Sequence, residues 1–218
     1  MDAYKAGFID FMIESNVLTF GDFTLKSGRR SPYFINTGKY RTGAQLNRLG
    51  EYYADCFKAN IKADENTLLF GTEYKGIPLV ATASAALFRK YELDLSYCFN
   101  RKEAKDHGEG GSFVGCAPVD GNNVVIIEDV ITAGTAVRET VPLLRDAANV
   151  TLTDMIISVD RMERTASGKT AVKEVYDEFG ITVHPIVTVA EIREHIEGKL
   201  DRELLDRMDA YIAEHCEI

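Results

Sequence analysis

Residues 124–140 read VVIIEDVITAGTAVRET, and their order decides the fold class. Four apolar residues run without a polar break, as a strand buried on both faces requires. The run stops at two adjacent acids, Glu128 and Asp129. After Val130 and Ile131 come five small residues, Thr132, Ala133, Gly134, Thr135 and Ala136, and a helical stretch over 136–147. Strand, glycine-bearing turn and helix in that order open a βαβ unit. A helix start presents N–H groups that lack partners inside the helix, and the helix dipole adds positive potential, so a phosphate fits there. Paired acids just upstream suit ribose hydroxyls or a phosphate-bound metal. A capped turn with two solvated acids is the plainer reading, but two acids closing an apolar strand weigh against it.

The alternation continues on both sides. Strand-like runs lie at 67–70, 95–100, 152–159 and 181–187, with helical stretches at 77–89 and 169–179. This predicts an open, mostly parallel α/β sheet flanked by helices, with any ligand beyond the carboxyl ends of the strands. Upstream, a helix over 2–14 carries Tyr4, Phe8, Phe11 and Met12 behind an Asp2 cap. Strands at 20–25 and 33–36 flank a turn at Ser27-Gly28 with Pro32. A helix over 42–60 buries Leu46, Leu49, Tyr53 and Phe57. The last helix, over 200–215, turns Leu204, Leu205, Met208 and Ile212 to one face. No repeat or low-complexity linker divides the chain, so residues 1–218 are expected to form one domain.

Charge sets a contradiction. The 218 residues carry 25 Lys and Arg against 34 Asp and Glu, a net charge of −9. That balance opposes a nucleic-acid coat, which needs surplus cations to release counterions. An anionic ligand then requires cations gathered in one place. No run of apolar residues is long enough to span a bilayer, and the N-terminus carries acids within its apolar pattern, unlike a signal peptide. Cys56, Cys98, Cys116 and Cys216 form no C-x-x-C pair, so they read as structural thiols of a reducing compartment, and a cytoplasmic location is expected. His184, His195 and His215 show no companions in sequence and read as structural or exposed.

Two further loops carry chemistry. FGTEYKGIP at 70–78 again leads from strand through glycine to helix, with Tyr74 and Lys75 in the turn. NRKEAKDHGEGGSFVG at 100–115 crowds Arg101, Lys102, Lys105 and His107 ahead of Gly108, Gly110 and Gly111. It has almost nothing to bury, so it is expected to be mobile. A solvated hairpin tip is the bland alternative. Cations on a glycine-hinged flap are suited to closing over a diphosphate and excluding water. SGKT at 167–170 imitates the end of a P-loop, but Glu163 stands where the first glycine is required.

The 124–140 segment resembles the phosphoribosyl-diphosphate (PRPP) motif of type I phosphoribosyltransferases. FTLKSGRRSPYFIN at 23–36, the RKEAKDHG loop and SVDRMER at 158–164 narrow the resemblance to the orotate-specific members of that family. It spans about residues 20–164. The resemblance implies the type I phosphoribosyltransferase fold, with a small N-terminal hood, formed mainly by about 1–40 plus C-terminal elements, and a mobile loop. It implies transfer of the phosphoribosyl group from PRPP to orotate, giving orotidine 5′-monophosphate and diphosphate in de novo pyrimidine biosynthesis.

Carried over by position, Lys26 contacts the PRPP and orotate side of the site, and Phe34 and Ile35 line the orotate pocket, partly through backbone groups. Tyr74 and Lys75 hold the diphosphate. Arg101, Lys102, Lys105 and His107 form the closing loop, which in the family reaches the neighbouring subunit's site and so implies a homodimer. Glu128 and Asp129 grip the ribose hydroxyls. Thr132, Ala133, Gly134, Thr135 and Ala136 hold the 5′-phosphate, Val130 and Ile131 belong to the same substrate-binding segment, and Thr132 and Arg161 reach the orotate. Lys102, Lys105, His107 and Asp129 are the catalytic candidates. Mg²⁺ is implied, bound mainly by PRPP oxygens and water, with no protein ligand named. Two departures are visible: Glu128 stands where aspartate is common, and Ile35 where the family often has a second Phe.

Overall fold

The computed structural model describes residues 1–25, 28–105, 111–131 and 134–218, with the backbone alone at 102–105 and 111. Helix α1 (Ala3–Glu14) leads into a hairpin of β1 (Leu18–Thr24) and β2 (Arg30–Ile35), followed by a single 3₁₀ turn (Thr37–Lys39) and α2 (Gly43–Asn60). Then come β3 (Thr67–Gly71), α3 (Gly76–Tyr91), β4 (Ser96–Lys105), β5 (Gly111–Gly115), β6 (Asn123–Ile127), α4 (Thr135–Ala147), β7 (Thr151–Asp160), α5 (Ala171–Phe179), β8 (Thr182–Thr188), α6 (Val189–His195) and α7 (Arg202–His215).

The main sheet has the order β5-β4-β3-β6-β7-β8 and is parallel throughout except for β5. The order reverses direction between β3 and β6: β3 crosses outward to β4, while β6 crosses the other way to β7 and β8. A crevice opens at such a switch point, beyond the carboxyl ends of the two strands. Alternate side chains divide between the faces. Leu69, Val125 and Ile127 join the core under α1, α2, α3 and α7, whereas Leu68, Phe70, Val124 and Ile126 pack beneath α4 and α5. Each such fully buried aliphatic side chain contributes about 1.5–3 kcal/mol.

Several expectations need correction. Asp2 precedes α1 but makes no side-chain cap; its carbonyl accepts from the Lys5 and Ala6 N–H groups instead. Pro32 lies inside β2, not in the turn. The hairpin register jumps between Phe20 and Phe23, placing a bulge opposite Pro32, where the missing N–H interrupts the ladder anyway. On α7, Tyr211 is buried with Leu205, Met208 and Ile212, and Leu204 is only half-buried. Extended backbone was not expected in the 100–115 segment: β4 runs on to Lys105 and pairs antiparallel with β5, with an irregularity between Asn100 and Lys105. Helix α6 and the 3₁₀ turn were not foreseen. Among the described residues, no helix is long and apolar enough to cross a membrane.

The histidines have companions after all. His184 Nε2 lies 2.7 Å from Asp154, and His195 Nε2 lies 2.7 Å from Asp10. Both pairs join elements far apart in sequence, which local spacing does not reveal. The four cysteines are free, with Cys116 exposed and the others buried.

Candidate active site at the sheet switch point

The turn after β3 and the turn after β6 meet at the crevice, and two glycines make the meeting possible. A Cβ on Gly71 would stand 2.4 Å from the Gly76 carbonyl oxygen, and one on Gly76 would stand 2.8 Å from the Ile127 carbonyl oxygen. Both are backbone contacts that cannot yield as a side chain would. The 72–75 turn is therefore pressed against the end of β6.

Glu128 and Asp129 follow β6 and are both buried, but they face different partners. Thr72 Oγ1 donates to Glu128 Oε2, and Glu128 Oε1 accepts from the Asp129 N–H at 2.8 Å. Glu128 thus ties the β3 turn to the β6 turn. Asp129 Oδ1 accepts from the Val130 N–H, also at 2.8 Å. Its Oδ2 receives Lys75 Nζ at 2.6 Å and Thr37 Oγ1 at 2.8 Å. The backbone beneath them is pinned from two sides. Tyr53 OH donates to the Glu128 carbonyl at 2.7 Å, and Ser158 Oγ donates to the Asp129 carbonyl at 2.5 Å.

These surroundings push the two carboxyls apart. Burial, reinforced by the neighbouring Asp129 charge, raises Glu128 well above the usual carboxylate range. Burial also acts on Asp129, but hydrogen bonds from Lys75 and Thr37 outweigh it and hold that group below its ordinary value. Asp129 is the ionised member of the pair.

A pocket of about 430 Å³ opens beside Asp129 and Lys75. Thr37, Tyr40, Leu46, Leu49, Tyr53 and Pro78 contribute to its wall, which mixes apolar and polar groups. Past Asp129, Gly134 adopts φ +69° at the N-terminus of α4, where Thr135 and Ala136 are exposed. That helix start is where the phosphate-cradling N–H groups were expected.

Arg161, immediately beyond β7, is held elsewhere. Its Nε and Nη2 donate to Glu163 Oε1 at 2.8 and 2.5 Å, and its guanidinium lies 4.7 Å above the Tyr33 ring. Three neighbouring strands, β3, β6 and β7, therefore deliver Lys75, Asp129 and Arg161 from their carboxyl ends. Neither Phe34 nor Ile35 lines the pocket: Phe34 is exposed and stacked on Phe23, and Ile35 packs on the core. Tyr74 points to solvent at 66% exposure. Arg101 is half-buried on β4. Lys26, His107, Thr132 and Ala133 lie outside the described residues, as do the side chains of Lys102 and Lys105.

Sequence reasoning missed Thr37, Thr72, Tyr53 and Ser158. Tyr53 belongs to the apolar stripe of α2 and reads there as core; its hydroxyl partner is 75 residues away.

Residues 40–186 match the family model described as the phosphoribosyl transferase domain. The orotate phosphoribosyltransferase of Clostridium beijerinckii is 49% identical over 222 residues, covering 99% of either chain. That of Clostridium botulinum (strain Alaska E43) is 48% identical with the same coverage. A crystal structure of the orotate phosphoribosyltransferase from Francisella tularensis superposes with a TM-score of 0.86 at 39% identity, over 97% of this chain and all of that one. With motif order, fold and relatives in agreement along its whole length, the chain belongs to the phosphoribosyltransferase family, among the orotate phosphoribosyltransferases.

Proposed function

We propose that the crevice between β3 and β6 transfers the phosphoribosyl group of PRPP to N1 of orotate. The new bond joins N1 to the anomeric carbon, the bond from that carbon to the diphosphate oxygen breaks, and orotidine 5′-monophosphate and diphosphate leave. The observation that carries this reading is the Lys75–Asp129 pair in the wall of the pocket. It sets a cation suited to a leaving diphosphate beside a carboxylate suited to ribose hydroxyls. The start of α4 supplies N–H groups for the 5′-phosphate. No side-chain nucleophile is needed, because orotate contributes a ring nitrogen and the transition state is cationic at the sugar.

Asp129 takes the ribose role and Glu128 a supporting one, since both Glu128 oxygens are engaged by Thr72 and the Asp129 N–H. Lys75 can exchange Asp129 for the diphosphate, which frees an Asp129 oxygen for the sugar. Arg161 serves the orotate carboxylate, and a planar guanidinium matches a planar carboxylate. Lys102, Lys105 and His107 close over the site, from the partner subunit of a homodimer. The hood is formed by about residues 1–40 together with α7.

Mg²⁺ fits this donor set as an ion held mainly by substrate. Among the described residues no three acidic, His or Cys side chains converge on one point, and Asp129 is the carboxylate that faces the pocket. Bound through PRPP oxygens and water, the ion would neutralise diphosphate charge.

The test is acceptor choice. With PRPP and Mg²⁺ present, diphosphate release should depend on orotate and not on adenine or hypoxanthine. Release with a purine and none with orotate would overturn the assignment.

A further inference from the structure

Four donors from three parts of the fold converge on Glu163. Its Oε1 receives Arg161, with Nη2 at 2.5 Å, Tyr211 OH of α7 at 2.6 Å and Tyr33 OH of β2 at 3.4 Å. Its Oε2 receives Arg29 Nη1 at 3.2 Å. Two guanidinium groups thus share one carboxylate, and the cluster stays net positive beside the hairpin. A lone surface ion pair is worth little, but here the Arg161 and Glu163 side chains are only 14% and 20% exposed, where polar networks are worth more.

The backbone carrying these residues is held just as firmly. Met162, between them, adopts φ +54°, an uncommon conformation for a residue with a side chain. The chain beyond α7 locks it in place: the Glu217 N–H donates to the Met162 carbonyl at 2.9 Å, and the Arg164 N–H donates to the His215 carbonyl at 2.9 Å. Glu163 pairs with Cys216 in an antiparallel bridge. Held on Glu163 through Nε and Nη2, Arg161 keeps Nη1 without a hydrogen bond among the described residues.

We propose that Glu163, braced by Tyr211 of α7, is a positioning residue that orients Arg161 for the acceptor's carboxylate. The C-terminal helix thereby sets affinity for the acceptor and leaves the PRPP side untouched. This rests on the reading of Arg161 given above. Neither Glu163 nor Tyr211 touches substrate; both act through the guanidinium.

Steady-state kinetics on the full chain test it, with orotate and PRPP each varied at saturation of the other, alongside thermal unfolding. Glu163→Gln should raise the KM for orotate about tenfold, the loss expected when a charge-assisted hydrogen bond is weakened, while the KM for PRPP stays within about twofold. Tyr211→Phe should move the orotate KM in the same direction by less. If Glu163→Gln or Tyr211→Phe lowers the melting temperature and leaves the orotate KM unchanged, the role is merely structural and the proposal is wrong. Should Glu163→Gln fail to fold, Tyr211→Phe alone decides. Arg161→Lys separates the two layers. An unchanged orotate KM in that variant removes the reading of Arg161, and the proposal with it. A raised KM in Arg161→Lys with no effect of the other two variants leaves that reading standing and removes the proposal alone.

Discussion

Lys75 Nζ lies 2.6 Å from Asp129 Oδ2, with the lysine side chain 62% exposed and the aspartate side chain 9% exposed. The pair joins the turn after β3 to the turn after β6 across the point where the sheet reverses its order. An exposed cation on a buried anion is suited to exchange: an incoming diphosphate competes for the lysine, and the aspartate oxygen it leaves is then available to the sugar.

Lys75→Ala should therefore cost catalysis far more than folding. The exposed lysine contributes less than about 1 kcal/mol to stability. A cation aimed at a leaving group in a closed site is worth on the order of a hundredfold in kcat/KM. Kinetics with PRPP varied, together with a melting curve, check this; full activity in the variant would dismiss Lys75 from the reaction.

Glu128 makes stability depend on pH in a stated direction. Burial lifts its folded-state pKa from 4.5 to about 8, so between those values the folded chain binds more protons than the unfolded one. Stability from this group is present at low pH and is lost as pH rises through about 8. Glu128→Gln removes the ionisation and keeps the shape, its oxygen accepting from the Asp129 N–H and its NH2 donating to Thr72 Oγ1, so its stability should fall less steeply from about pH 5 to about pH 9. Asp129, held low, acts in the opposite sense, but at acid pH below that window. Chemical denaturation across the range decides, and parallel slopes in the two proteins would contradict the burial argument.

Tyr53→Phe removes the hydroxyl that supports the Glu128 carbonyl. Both groups are buried, so leaving the carbonyl unpaired should cost about 1–3 kcal/mol. Denaturant unfolding measures it, and a change below about 0.5 kcal/mol would show that the bond adds nothing net.

Gly71→Ala tests the close approach of the two turns. Its Cβ would stand 2.4 Å from the Gly76 carbonyl oxygen, so the β3 turn must shift, at a cost of about 1–3 kcal/mol. A rise in the KM for PRPP should accompany the loss of stability, since Lys75 moves with the turn. A stable variant with unchanged kinetics would mean that the turn relaxes freely.

The parts of the fold read from sequence were those written locally. The run over 124–127, its two acids and the small residues after them marked β6 and the start of α4, because strand burial, turn and helix entry each leave a short-range pattern. The 101–105 stretch of β4 is too polar to show strand periodicity, and its pairing with β5 is irregular between Asn100 and Lys105. Helix α6 did carry a signal, the capping box between Thr188 and Glu191, in a helix only seven residues long. The Glu163 cluster had none: its partners Arg29 and Tyr211 lie 134 and 48 residues away. Phe34 and Ile35 lie away from the pocket beside Asp129, with Phe34 stacked on Phe23 and Ile35 packed on the core.

The most direct test follows orotate itself. Wild-type protein and Asp129→Asn are each mixed with PRPP, Mg²⁺ and orotate, and the ultraviolet absorbance of orotate is recorded. Wild type should consume orotate with one diphosphate released per orotate lost, while the variant, its folding checked by a melting curve, should be slower by on the order of a hundredfold. Undiminished orotate with wild type, or equal rates in the two proteins, would contradict a phosphoribosyl transfer centred on Asp129.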